Sequence, residues 1–109
     1  MRRGVLQLVS FLVLLAAFAL AQAGPKLTSV EPTTGKVGDS LTVIGEDLGK
    51  ETVQGVLLSD EEKDYPAEVL EQTAQKIVFK VPEVRAGGYN VSLKVGNNIY
   101  IQPIRFTVQ

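Results

Sequence analysis

The sequence predicts an all-β domain, an antiparallel sandwich or barrel, preceded by a helical export signal. Three observations lead there. Apolar residues alternate with polar ones in three separate runs, at residues 77–81, 89–95 and 104–108. Clusters of Gly, Pro and Asn punctuate the chain between short apolar stretches. The first 23 residues are apolar in a continuous, non-alternating way that sets them apart from the rest. Period-two alternation is the mark of a strand with one buried face, and short strands separated by turns at roughly ten-residue spacing are the pattern of sandwiches and barrels.

Residues 1–23 read as a secretory signal peptide. Arg2 and Arg3 precede an apolar run over residues 5–21 that only Gln7 and Ser10 interrupt, and Ala21 and Ala23 fit the small-x-small cleavage pattern. Cleavage after Ala23 is expected. An uncleaved anchor is the alternative, because about 17 residues is near the shortest stretch that spans a bilayer. No second stretch approaches that length, so no membrane span is expected after cleavage. Removing 23 of the 109 residues leaves a domain of 86, residues 24–109. Without Arg2 and Arg3, 9 basic residues face 12 acidic ones, a net charge of −3. That balance, with no basic run, argues against nucleic acid, which is bound by clustered Lys and Arg. Cys is absent. An exported eukaryotic module of this size more often carries a disulfide, so a bacterial origin is expected, and a lipid anchor on a leading Cys is excluded.

The elements follow in order. Residues 26–30 are extended and close at Glu31-Pro32; Pro32-Thr33-Thr34-Gly35 is a turn, with Pro presetting its own backbone angle. Ser40-Leu41-Thr42-Val43-Ile44 is a β-branched strand between Gly38 and Gly45. Gly55–Ser59 is a third short apolar run, followed by the acidic loop Asp60-Glu61-Glu62-Lys63-Asp64. Residues 66–80 admit two readings. Asp64 is placed to cap a helix carrying Val69, Leu70, Thr73, Ala74 and Ile77 on one face. The alternation of Ile77, Phe79 and Val81 favours a strand at 67–70, a turn at 72–75 and a second strand ended by Pro82. Tyr89, Val91, Leu93 and Val95 are expected to face inward, with Asn90, Ser92 and Lys94 outward; Ile104, Phe106 and Val108 form the last inward set. Gly87-Gly88 and Gly96-Asn97-Asn98 supply the turns between them. The core is expected to be built from Val, Ile and Leu, since a domain this small buries only roughly 60–65% of its unfolded surface and needs most of its apolar residues inside.

These residues resemble the IPT/TIG family of immunoglobulin-like domains. The opening Leu27-Thr28-Ser29-Val30-Glu31-Pro32-Thr33-Thr34-Gly35-Lys36-Val37-Gly38-Asp39 is similar to that family's first strand, Pro-x-x-Gly turn and second Gly. Leu41-Thr42-Val43-Ile44-Gly45 resembles its second strand, Ile77-Val78-Phe79-Lys80-Val81-Pro82 the strand ending in Val-Pro, and Gly88-Tyr89-Asn90-Val91-Ser92-Leu93 and Phe106-Thr107-Val108 the later ones. The likeness covers residues 25–109. It departs at Gly38-Asp39, where a second Gly is common, and at Leu48, where an aromatic is usual, which suggests a differently packed rim. The resemblance implies an immunoglobulin-like antiparallel β-sandwich, with Pro32, Gly35, Gly38, Gly45, Pro82 and Gly88 as its fold-motif residues. It also implies an exported bacterial module used for adhesion, spacing or glycan-associated work in the periplasm, on the cell surface or outside the cell.

Chemistry is sparse. With no His and no Cys, the usual general bases and nucleophiles are missing, and soft transition metals have no ligands. Glycoside hydrolysis needs two carboxylates flanking a cleft, whereas Asp60, Glu61, Glu62 and Asp64 lie in a single loop. That loop lacks the alternating spacing of a calcium loop and reads as a solvated acidic turn. Asn90-Val91-Ser92 matches a glycosylation sequon by chance, and the scattered glycines reflect turns, not a phosphate cradle. No catalytic, metal or cofactor site is expected. Ile44, Leu57, Leu70, Val78 and Tyr100 fall opposite the expected core positions; clustered, they would form an interface patch. The chain is therefore expected to be a noncatalytic interaction or spacer module, holding a protein or glycan of the cell envelope through loops, sheet edge or outer face. A self-assembling envelope component with weak self-association is the alternative, and a small enzyme or enzyme inhibitor the more distant one.

Overall fold

Nine strands arranged in two stacked sheets make up the computed structural model, which describes residues 24–109. In chain order they are β1 (Lys26–Glu31), β2 (Thr34–Gly35), β3 (Ser40–Glu46), β4 (Gly55–Ser59), β5 (Asp64–Ala67), β6 (Val69–Gln72), β7 (Lys76–Lys80), β8 (Gly87–Val95) and β9 (Asn98–Val108). One sheet has the order β1-β3-β7-β6, the other β2-β9-β8-β4-β5. Alternation sets the register between them. Leu41 and Val43 of β3 stand beside Phe79 and Ile77 of β7, while Val56 and Leu58 of β4 stand beside Leu93 and Val91 of β8. All eight are buried, and with Phe106 and Val108 they fill the space between the sheets. Burying each such side chain is worth about 1.5–3 kcal/mol relative to leaving it in water, so these short strands are held mainly by what lies between them. No helix among the described residues is long and apolar enough to cross a membrane.

The immunoglobulin-like sandwich expected from the sequence is the fold observed, with corrections in detail. The segment after Tyr65 is strand, as read, but it forms two strands. β5 pairs with β4 in one sheet, and the chain then crosses at Glu68 to pair as β6 with β7 in the other. Pro66 lies on an edge strand, where its missing N–H leaves no ladder bond unmade. The turn at Pro32-Thr33-Thr34-Gly35 carries the chain from one sheet to the other, through a cis Glu31–Pro32 peptide. There, Thr34 and Gly35 pair in parallel with Thr107 and Val108, so the second sheet is mixed. Strand β9 starts at Asn98, six positions ahead of the expected Ile104. Its first half shows no alternation because Ile99, Tyr100 and Ile101 are apolar in succession, and an irregularity follows: the register jumps from Asn90↔Arg105 to Ser92↔Ile101, leaving Gln102, Pro103 and Ile104 opposite Val91 alone. The expected outward residue Ser92 is fully buried, as is Leu48, which joins the core where the family likeness suggested a rim.

Candidate functional site

The register places Leu57 and Ser59 of β4 opposite Ser92 and Asn90 of β8 on the outer face of the larger sheet, with Arg105 and Ile101 beside them on β9. At the end of this face the β4–β5 turn and the approach to β8 rise on either side, enclosing an open groove of about 560 Å³. Its lining carries both charges: Asp60, Glu61, Glu62 and Lys63 come from the β4–β5 turn, Arg85 from the approach to β8 and Arg105 from β9, together with Tyr65 and Asn90.

Two hydrogen-bond networks position these groups. Asp60 Oδ1 accepts the backbone N–H of Glu62 at 2.8 Å and of Lys63 at 2.7 Å, which closes the turn on its own carboxylate. The N–H of Lys63, then that of Glu62, hold the Asp60 carboxyl below its ordinary range, as donors to a charged form do. Tyr65 O–H donates to Asp60 Oδ2 at 3.4 Å, and burial together with the neighbouring Asp60 charge pushes the Tyr65 phenol up. The Tyr65 and Tyr89 rings meet edge to face at 6.1 Å, and Tyr89 O–H donates to the Arg85 carbonyl at 2.7 Å, fixing that wall.

The second network crosses the sheet. Gln102 Oε1 accepts the Leu27 N–H at 3.1 Å, the Gln102 carbonyl accepts Asn90 Nδ2 at 2.8 Å, and Asn90 Oδ1 accepts Arg105 Nη1 at 2.8 Å. Arg105 Nη2 lies over Gly88, where any Cβ would collide with it. The guanidinium is thus held by Asn90 and lines the groove. The ion pairs among the described residues, Lys76–Glu71 at 3.3 Å and Lys80–Glu68 at 3.8 Å, both lie in the other sheet, so Arg85 and Arg105 are not spent on carboxylates. A second hollow of about 440 Å³ lies between Lys50, Gln54 and strand β6, but Gln72 Nε2 there is committed to the Leu48 and Val53 carbonyls at 2.7 and 2.9 Å.

The fold-motif residues singled out in the sequence are mostly elsewhere. Gly45 is packed so tightly on β1 that a Cβ would strike the Lys26 carbonyl. The Gly38 N–H donates to the Val81 carbonyl at 2.9 Å, beside Pro82, and Gly35 accepts from the Gln109 N–H at 2.8 Å. Pro32 marks the crossing between sheets. Gly88 alone of the six reaches the groove. Ala21 and Ala23 lie outside the described residues. In the acidic loop, Asp60 is turned onto its own backbone and Asp64 Oδ1 accepts from Ser59 Oγ at 2.5 Å; no group of three metal-ligating side chains converges among the described residues. The five apolar residues expected as a patch do not share one face: Ile44, Val78 and Leu70 lie on the neighbouring strands β3, β7 and β6 of the smaller sheet, Leu57 is buried in the larger one, and Tyr100 lies on β9. Arg85 and Arg105 carry no signal in the sequence, where an isolated arginine beside a strand says nothing by itself; only the fold brings them to one groove.

Comparison with known proteins fits this framework. A stretch of 75 residues, 69% of the chain, is 36% identical to a cyclomaltodextrin glucanotransferase of Bacillus sp. (strain 1-1), of whose length it spans 10%. Among solved structures, a Bacteroides thetaiotaomicron protein of unknown function superposes with a TM-score of 0.70 at 19% identity, over 81% of this chain and 22% of that one. A gamma-type glucanotransferase of alkalophilic Bacillus clarkii superposes with a TM-score of 0.59 at 26% identity, over 75% of this chain and 12% of that one. The model of the IPT/TIG domain family matches residues 25–108, nearly the whole described sandwich, and the chain belongs to that family.

Proposed function

We propose that this chain is an exported, noncatalytic binding module that holds a glycan in the groove at the end of its larger sheet. The observation that carries the reading is the braced Arg105 guanidinium lining the same open groove as the carboxylates of the β4–β5 turn. Sugar hydroxyls donate and accept hydrogen bonds at once, and a groove lined by both arginines and carboxylates offers partners for both. Tyr65 adds an aromatic edge. The similarity to a small part of two glucan-transferring enzymes supports a carbohydrate-associated role. The open shape favours one face of an extended oligosaccharide over an engulfed small molecule. A partner in the cell envelope agrees with the export signal read at residues 1–23, for which N-terminal sequencing of the exported form is expected to find Gly24 first.

The test is a glycan array followed by titration calorimetry with α-linked glucose oligosaccharides. Binding of modest affinity is expected, lost at least tenfold in Arg105→Ala and retained in Lys76→Ala on the other sheet. Absence of glycan binding, or equal effects of the two substitutions, would overturn the reading.

A further inference from the structure

We propose that residues 98–101 at the open edge of β9 pair antiparallel with the same segment of a second copy of this chain, closing a two-fold dimer. β2 pairs only with Thr107 and Val108 of β9, and β1 approaches it at Gln102 through a side-chain hydrogen bond, so residues 98–101 have β8 on one side and are paired with no strand among the described residues on the other. Three consecutive apolar side chains are exposed there: Ile99 at 41%, Tyr100 at 50% and Ile101 at 62%.

Backbone parity shows which groups are available. The Lys94 carbonyl accepts the Gln54 N–H at 2.8 Å, so Lys94 directs its backbone toward β4. Its neighbours Leu93 and Val95 then exchange hydrogen bonds with Tyr100 and Asn98, their partners in register. Ile99 and Ile101 are left pointing their N–H and C=O groups outward at the edge.

Charge selects a second copy as the occupant. Residues 96–104 carry no Asp, Glu, Lys or Arg, so two such strands meet with no like charges opposed. The other edges are blunted in the usual ways: β1 carries Lys26 and Glu31, β6 carries Glu71 and an irregular register, and β5 carries Asp64 and Pro66. A two-fold axis at Tyr100 sets Ile99 against Ile101 of the second copy. Both face the edge, so each of the two pairs exchanges two backbone hydrogen bonds. The isoleucines then pack on one face and the two Tyr100 rings meet on the other. Pro103, the following edge position of matching parity, has no N–H and ends the pairing. The pairing uses up this edge in both copies, so it closes as a dimer and does not extend to a fibre. It is far shorter than a standard interface, and a dissociation constant on the order of 10 µM to 1 mM is expected.

The chain from Gly24 onward holds every strand and the buried core found among the described residues and is the form to measure. Sedimentation equilibrium should show the mass rising from monomer toward dimer between about 10 µM and 1 mM. Ile99→Lys, at an exposed position outside the groove, should weaken association at least tenfold and leave thermal unfolding of the monomer unchanged. The protein has no cysteine. Tyr100→Cys would oppose its own copy at a non-hydrogen-bonded pair, where Cα atoms approach to about 4.5 Å, within disulfide reach. On oxidation it should form a covalent dimer, whereas Ile44→Cys on the other sheet should not. A monomer throughout that range, or cross-linking no faster in Tyr100→Cys than in Ile44→Cys, would overturn the proposal. Neither readout involves a glycan, so this proposal and the groove reading fail separately.

Discussion

Replacing Ser92 by Asp tests how the outer face of the larger sheet is built. Alternation between Val91 and Leu93 makes Ser92 an outward position, at which a carboxylate would be nearly neutral. In the structure Ser92 is fully buried, with its Oγ 2.7 Å from Ser59 Oγ, which in turn donates to Asp64 Oδ1 at 2.5 Å. Leu57, opposite in register, is buried as well. A carboxylate at this point loses water without a full set of donors, a cost of about 1–3 kcal/mol. It also stands two hydrogen-bond lengths from Asp64. Like charges at roughly 5 Å repel by on the order of 3 kcal/mol at an effective dielectric of ~20, reduced to about 1 kcal/mol because Asp64 is exposed and screened. Ser92→Asp should therefore cost about 3 kcal/mol at pH 7, and Ser92→Ala, which loses one neutral hydrogen bond, about 1 kcal/mol. Denaturant unfolding, with the slope unchanged among variants, reads both values. The pH dependence adds a second check. The introduced carboxyl is charged at a cost only in the folded state, so its folded pKa lies above its unfolded one. The penalty is complete above the folded value and fades as pH falls through it toward the ordinary carboxylate range. Relative to the parent, Ser92→Asp should regain most of its deficit between pH 7 and pH 4. A loss below about 0.5 kcal/mol at pH 7, the size of an ordinary surface substitution, would refute the buried outer face.

Other substitutions probe the framework and the groove. Gly45→Ala drives a Cβ into the Lys26 backbone and should cost on the order of 3 kcal/mol by displacing β1. Gly88→Ala meets only the movable end of Arg105 and should cost about 1 kcal/mol or less, measured by the same unfolding experiment, while weakening glycan binding severalfold. By NMR titration, Asp60 should protonate below the ordinary carboxylate range. Because its folded pKa is depressed, the stability it adds is present above the unfolded value and lost as pH falls through the folded one; Asp60→Asn should speed amide exchange at Glu62 and Lys63. Adding a chelator should leave the thermal midpoint and glycan binding unchanged, since Asp60 and Asp64 already bond to protein donors.

The parts of the fold legible in the sequence are those governed by a single buried face. Ile77 and Phe79, and Tyr89, Val91 and Leu93, alternate because one side of each strand meets the core and the other meets water or a neighbour. Where that condition fails, so does the reading. Ser92 and Leu57 are covered on the outer face too, and nothing in a period-two pattern distinguishes a covered outer position from a wet one. Ile99, Tyr100 and Ile101 are apolar in succession, so the first half of β9 shows no alternation; the two extra residues of the irregularity at 102–104 keep the phase, with Ile99 and Ile101 on the outer face and Phe106 and Val108 on the inner one. β5 and β6 look like one segment because a strand that changes sheets at a single residue leaves only a change of partners, which a sequence does not display. The groove shares this difficulty. Its residues come from the β4–β5 turn, the approach to β8, and β9, and the polar path from Leu27 through Gln102 and Asn90 to Arg105 exists only in the register.

The family framework and the groove overlap at one residue, and that separation bears on what the groove can do. The Pro, Gly and Val positions that carry the likeness hold turns and core together, so they are compatible with any partner. Gly88 alone serves both, by leaving room for a guanidinium over the sheet. The groove pairs a braced cation with a turn whose acid is satisfied internally. A general acid or base works best with its pKa near the operating pH, and Asp60 is displaced the other way, by backbone donors that also occupy one of its oxygens. Glu61 and Glu62 share its turn, and no carboxylate from another element lines the groove to flank a bond as glycosidic cleavage requires. The charged groups that other elements bring to the groove are arginines, permanently charged and unable to exchange a proton. The proposed role of the groove is therefore to orient hydroxyls and hold a glycan, and the decisive measurement is an affinity, not a turnover.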